Sequence, residues 1–155
     1  MHDEAREILV RARQAGCEVV LPRDVVIANQ LIADIASDTT AVEAVPSRAM
    51  ILDLGAATVD GLVGRVPGWR TVVWNGPLGA FEVPPFDKAT TALARAVADA
   101  TQAGHLTSVA GGGDTIAALH HAGVADRFTY VSAAGGAFLE WLEGRTLPGV
   151  AALGS

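Results

Sequence analysis

The sequence is poor in the residues that mark secreted, membrane-spanning or nucleic-acid-binding chains. Cys17 is its one cysteine, so no internal disulfide can form, and a reducing cytoplasm is the expected setting. Basic side chains are outnumbered, 11 Lys and Arg against 17 Asp and Glu. The resulting net charge of −6 disfavours non-specific binding to nucleic acid. No apolar run approaches the roughly 20 residues that span a bilayer, and the opening MHDEAREILVRARQAG (1–16) is charged throughout, unlike a signal peptide. Repeats and low-complexity tracts are also lacking. What remains is a 155-residue chain, half hydrophobic and 18% charged. That is long enough to bury the core of one domain and too apolar for disorder. An acidic chain of this kind can still hold anions where backbone amides and helix termini do the local work.

The apolar pattern alternates strands and helices. Residues 3–15 place Ala5, Ile8, Leu9 and Ala12 at helical spacing, with Gly16 as a C-cap. CEVVL (17–21) reads as a buried strand closed by Pro22, with Cys17 as an inert core thiol. The run 24–36 can begin extended and become helical. VEAV (42–45) suggests a short strand, AMILDL (49–54) a stronger one, and 58–65 a helix. TVVWN (71–75), LTSVA (106–110) and FTYVSA (128–133) read as further strands. The clearest helix spans 86–103, with Ala92, Leu93, Ala96, Val97 and Ala100 on one face, and DTIAALHHA and GGAFLEWLEG follow as helices. This order predicts an α/β fold in three layers, a mostly parallel sheet with helices on both faces. Ligands of such sheets bind beyond the carboxyl ends of the strands. Glycine-rich turns fall at three such ends: 75–79, 111–113 and 135–136.

Each turn has two readings. In AGGGDT, the amides of Gly111, Gly112 and Gly113 at a helix start suit phosphate. Asp114 there suits Mg²⁺ and Thr115 offers a hydroxyl. Alternatively the turn joins strand to helix with Asp114 as N-cap. It is not a Walker A loop, since no lysine follows the glycines. In WNGPLGAFE (74–82), Asn75 ends a strand, Pro77 and Leu78 offer an apolar wall to a purine, and Glu82 could accept both hydroxyls of a ribose; the alternative is a structural loop. In SAAGGAFLEWLEG (132–144), Gly135 and Gly136 open a helix, either for a migrating phosphoryl group or for close packing on the sheet. His120 and His121 are adjacent, point about 100° apart on a helix, and do not share a metal. Trp69, Trp74 and Trp141 are expected to be packing residues.

The ordered series LPRDVVIA (21–28), ILDLG (51–55), VVWNGPLGAFE (72–82), GGGDT (111–115), YVSAAGGAFLEWLEG (130–144) and LPGV (147–150) resembles the C-terminal part of phosphoglycerate kinases, from about residue 5 to residue 153. The resemblance implies that residues 1–155 are a partial nucleotide-binding domain of Rossmann-like build. It further implies phosphoryl transfer between 1,3-bisphosphoglycerate and ADP, or 3-phosphoglycerate and ATP in reverse, with Mg²⁺. On this resemblance Asn75, Pro77 and Glu82 contact the nucleoside or its phosphates, and Asp114 holds the metal-nucleotide beside Thr115 and Gly111–Gly113. Gly135 and Gly136 face the transferred group.

The chain departs from the family pattern in places. SAAGGAF (132–138) has Ala133 and Ala134 for a threonine and a glycine, and Phe138 for a small polar residue. Ala56 stands where proline is preferred, and Ala80 where valine is usual. The family's phosphoglycerate-binding N-terminal domain and its Gly-Gly-Ala-Lys-Val segment are not in these 155 residues. The expectation is therefore a chain that supplies the Mg-nucleotide site and is a poor kinase alone, meeting phosphoglycerate only if that domain is supplied. The competing expectation is an inactive relative acting as a nucleotide-binding or interaction module, its exposed sheet edge pairing with another chain. A nicotinamide-binding domain is disfavoured, because no GxGxxG follows the first strand.

Overall fold

The computed structural model describes the backbone of residues 2–133 and 135–153 and, within these, the side chains except at 2, 138, 139, 141, 142, 149, 150 and 153. Ala134 and the side chains of Phe138 and Trp141 therefore lie outside the described residues. Among the described residues, six strands form two sheets. β1 (Asp24–Ala28), β2 (Asp38–Ala41) and β3 (Met50–Leu54) pair antiparallel in the order β2-β1-β3. β4 (Thr71–Asn75), β5 (Thr107–Gly111) and β6 (Tyr130–Ser132) are parallel in the order β4-β5-β6. The helices are α1 (His2–Gln14), α2 (Ala56–Val63), α3 (Lys88–Gln102), α4 (Gly113–His121), α5 (Gly135–Leu142) and α6 (Pro148–Leu153). α3 connects β4 to β5 and α4 connects β5 to β6, the helical crossovers that parallel pairing requires.

The main core lies where α3 and α4 cover one face of the parallel sheet. Trp74 and Ala110 from that face meet Leu93, Ala94, Val97 and Ala98 of α3 and Leu119 of α4. Trp74 packs edge-on against Phe128, with ring centroids 6.3 Å apart. α3 keeps the expected helical period, but its buried stripe is turned from the expected face: it runs through Ala89, Thr90, Leu93, Ala94, Val97 and Ala98, with Ala92, Ala96 and Ala100 only partly buried. A smaller core joins Ala28, Leu52 and Phe86 under the antiparallel sheet.

The α/β class and the parallel strands follow the sequence reading, while several details do not. The antiparallel sheet was not expected. The segment 17–21 is not a strand: none of the described strands runs beside it to accept its hydrogen bonds, and Leu21 is 60% exposed. Cys17 is exposed with it, not an inert core thiol. The ambiguous run 24–36 is strand only as far as Ala28, and the short strand sits at Asp38–Ala41, with a 3₁₀ turn at Val42–Ala44. Val73 and Tyr130, which share a face of the parallel sheet, are 47% and 61% exposed.

α2 has only Gly55 at its N-cap and no cap bond of its own. Asp24 of β1 supplies one from the neighbouring sheet. Its carboxylate accepts the Ala57 N–H at 3.1 Å, the Thr58 N–H at 2.8 Å and the Thr58 hydroxyl at 2.5 Å. The Thr58 hydroxyl, foremost, holds the Asp24 pKa below its ordinary value of 3.8, with the backbone amides assisting against burial. Asp24→Ala is expected to lower unfolding free energy by about 1–2 kcal/mol in urea titrations. A carboxyl with a lowered folded pKa stabilises above its unfolded value, and that contribution is lost as pH falls through the folded value. The gap between wild type and Asp24→Asn should thus be full at neutral pH and close in acid below pH 3.8.

Candidate functional site

Strand register brings Asn75, Gly111 and Ser132 into one row at the carboxyl edge of the parallel sheet. A loop leaves each, and the three loops are tied together. The Gly76 N–H donates to Thr115 Oγ1 at 2.7 Å. The Gly112 N–H donates to the Ser132 carbonyl at 3.1 Å. Gly135 lies directly on Gly112: a Cβ there would stand 2.5 Å from Gly112 Cα and 2.9 Å from the Gly111 carbonyl carbon. The indole N–H of Trp74 donates to the Gly76 carbonyl at 2.7 Å, which anchors the first loop to the core.

The glycines divide into two kinds. Gly112 has φ 101° and ψ 145°, a conformation that side chains rarely tolerate, and Gly135 is excluded from bearing a Cβ by the backbone it touches. The fold itself needs both. Gly113 and Gly136 have ordinary backbone and open space where a Cβ would stand. They sit in the first turns of α4 and α5, where N–H groups point outward and the helix dipole favours negative charge. The fold does not need either.

Other expected residues fall around this row with some changes of duty. Gly112, not Asp114, is the N-cap of α4, because the strand runs on to Gly111 and the turn is made by glycine alone. Asp114 stands exposed in the first turn. Thr115 is 1% exposed and its oxygen accepts the Gly76 N–H, so it joins two loops instead of opening toward a phosphate. The Asn75 side chain reaches the Gly112 loop, its Oδ1 lying 3.6 Å from where a Gly112 Cβ would be. Pro77, Leu78, Gly79 and Ala80 form a wall that faces Ile51, Leu52, Asp53 and Leu54 of β3 across a hollow of about 210 Å³.

Glu82 is exposed two residues beyond that wall, after Phe81, which is buried. Ile51 and Leu52 were missed as lining residues; the exposure of Ile51 beside buried Leu52 and Asp53 is their signal, and it appears only in three dimensions. A larger hollow of about 330 Å³, between Val26, Val59, Lys88 and Ala92, is also bordered by Asp53 and contains none of the glycine-loop residues.

No group of three or more His, Cys, Asp or Glu residues suited to a metal occurs among the described residues. A lone exposed carboxylate such as Asp114 fits Mg²⁺ that keeps most of its waters and arrives on phosphate oxygens. His121 is engaged elsewhere: its Nε2 lies 2.9 Å from Asp87 Oδ2. No helix among the described residues is long and apolar enough to cross a membrane.

A family model described as phosphoglycerate kinase matches residues 1–145. The phosphoglycerate kinase of Granulibacter bethesdensis is 60% identical over 153 residues, which are 99% of this chain and 39% of that protein. That of Dinoroseobacter shibae is 61% identical over the same shares. The chain thus spans about 39% of the length of these curated relatives. The solved phosphoglycerate kinase of Coxiella burnetii superposes with a TM-score of 0.85 at 41% identity, over 92% of this chain and 36% of that one. The one from Pyrococcus horikoshii, at 24% identity and a TM-score of 0.72 over 98% of this chain and 38% of that one, shares the fold.

The two kinds of glycine should separate in stability measurements. Gly112→Ala is expected to cost about 1–3 kcal/mol of unfolding free energy, and Gly135→Ala at least as much, since backbone must move. Gly113→Ala should remain within about 1 kcal/mol of wild type, on the stabilising side. Urea titration of the three variants measures this directly.

Proposed function

The chain belongs to the phosphoglycerate kinase family, and from that premise we propose that its strand-end loops hold a magnesium-bound adenine nucleotide. Residues 1–155 then act as a C-terminal nucleotide-binding domain in phosphoryl transfer between 1,3-bisphosphoglycerate and ADP. The observation that carries this reading is the pair Gly113 and Gly136. Two helix starts, held side by side by the contact of Gly135 with Gly112, each keep clear a space that the fold does not require.

In this arrangement the base lies in the hollow between β3 and Pro77–Ala80, and Glu82 takes the ribose hydroxyls. The amides around Gly111, Gly112 and Gly113 bind the phosphates, Asn75 borders them, and Thr115 holds the two loops in register. Asp114 holds the magnesium ion, which when bound neutralises part of the phosphate charge. The amides at Gly135 and Gly136 face the transferring phosphoryl group, where fixed dipoles stabilise developing charge without reorganisation. Such transfer depends mainly on positioning and charge stabilisation. The setting for a glycolytic reaction of this kind is the cytoplasm.

The segments 75–82, 111–115 and 132–138 contain neither lysine nor arginine. The phosphoryl group in flight therefore gains amides from this chain and no side-chain cation from these segments. Binding of nucleotide and turnover are separable on this account, and the 155-residue polypeptide by itself binds without turning over. A second reading, a nucleotide-binding or interaction module without chemistry, is favoured by Ala133 in place of a hydroxyl and by the exposed sheet face bearing Val73 and Tyr130.

MgADP at roughly ten times its dissociation constant is expected to stabilise the chain by about 1.4 kcal/mol, a rise in Tm of about 3–5 °C. Asp114→Ala should shrink that shift, and Gly113→Ala should shrink it while leaving the ligand-free Tm unchanged or higher. No shift at millimolar MgADP would contradict the reading. A coupled assay of the 155-residue chain with 3-phosphoglycerate and ATP should give no measurable turnover; appreciable turnover would overturn the argument from the missing cation.

A further inference from the structure

Asp53 stands on β3, outside the glycine loops. It is 2% exposed, and both carboxyl oxygens are engaged. Oδ1 accepts the Leu54 N–H at 2.9 Å, and Oδ2 accepts the Ala89 N–H at 3.0 Å. Ala89 lies in the first turn of α3, whose own N-cap, Asp87, makes no side-chain cap bond and lies with Oδ2 2.9 Å from His121 Nε2. Asp53 thus caps α3 from the neighbouring sheet. It also bears on the loop: a Cβ on Gly79 would collide with the Asp53 carboxyl and stand 2.6 Å from the Phe86 carbonyl oxygen. The residues on either side of Gly79 are fixed to the same two elements. The Leu78 N–H donates to Thr90 Oγ1 of α3 at 2.9 Å, and the Ala80 N–H donates to the Leu52 carbonyl of β3 at 2.8 Å.

We infer that Asp53 is the positioning residue of the nucleoside hollow: its buried carboxyl holds Gly79 and the first turn of α3 against β3 and so sets the wall from Pro77 to Ala80 on which a base rests. The inference rests on the reading that this hollow takes the base. Two acceptor oxygens for two N–H groups make the carboxyl specific, since an asparagine would turn an amino group toward one of them. Burial pushes the Asp53 carboxyl above its ordinary pKa, with the charge of Asp87 adding to the rise and the Ala89 and Leu54 amides opposing it. The site is thus one where charge is held at a cost in solvation.

The test compares a ligand that needs the hollow with one that needs only the glycine loops. In calorimetric titrations of the 155-residue chain, Asp53→Asn is expected to weaken MgADP by about tenfold, the scale of one buried hydrogen bond lost, and to leave magnesium tripolyphosphate within about twofold of wild type. Equal losses for both ligands, or an unchanged MgADP affinity, overturn the inference. A wild-type chain that binds neither ligand overturns the nucleotide reading beneath it, a distinct result. Hydrogen exchange on the wild-type chain keeps the inference testable if Asp53→Asn does not fold. MgADP should slow exchange of the Ala80 and Ala89 amides and tripolyphosphate should not. Protection by MgADP that is confined to residues 111–115 overturns the inference.

Discussion

The contact of Gly135 with Gly112 is the constraint on which the strand-end site depends. Two loops from parallel neighbours can lie backbone on backbone only where one residue lacks a Cβ and the other adopts a conformation that glycine tolerates. That contact brings the first turns of α4 and α5 to one place. The Thr115 hydroxyl then draws in the third loop through Gly76, and the Trp74 indole fixes that loop to the core. The site is therefore made largely of backbone. Side chains serve mainly to hold the backbone in place, which suits a task of binding phosphate through amides.

The antiparallel sheet has a complementary part. Its strands carry two carboxylates, Asp24 and Asp53, that cap α2 and α3, helices without side-chain caps of their own. Every buried side-chain nitrogen or oxygen among the described residues has a hydrogen-bond partner, so these polar groups are part of the packing and not exceptions to it. The caps join the two sheets through α3, and the hollow between β3 and Pro77–Ala80 lies at that junction. The glycine loops and the β3 hollow are thus held by different interactions, backbone contacts at one and a buried carboxyl at the other.

Much of this was legible in the chain, for physical reasons particular to each segment. TVVWN and the run around LTSVAG read correctly as strands because apolar stretches there end in glycine at the sheet edge. α3 was legible from its apolar stripe. The strand Asp38–Ala41 was not, since it lies at an edge of its sheet and is mostly exposed, leaving no alternation to read. CEVVL has strand composition, yet a strand needs a neighbour, and composition does not say whether one is there. The glycines of 111–113 and 135–136 were recognisable as strand-end turns from the alternation of strands and helices. Which of them serve the fold and which stay open to a ligand depends on distances between loops far apart in sequence. Thr115 changed duty for the same reason, and Asp53 could not have been singled out without the placement of Gly79.

Amide chemical shifts of the 155-residue chain during titration with MgADP test the central claim most directly, that one nucleotide spans the glycine loops and the β3 hollow. The account predicts saturable shifts concentrated at 51–54, 75–82, 111–115 and 135–136, moving together with one dissociation constant. Shifts confined to other parts of the chain, such as the larger hollow lined by Val26, Val59 and Lys88, or none at all at millimolar MgADP, would contradict it.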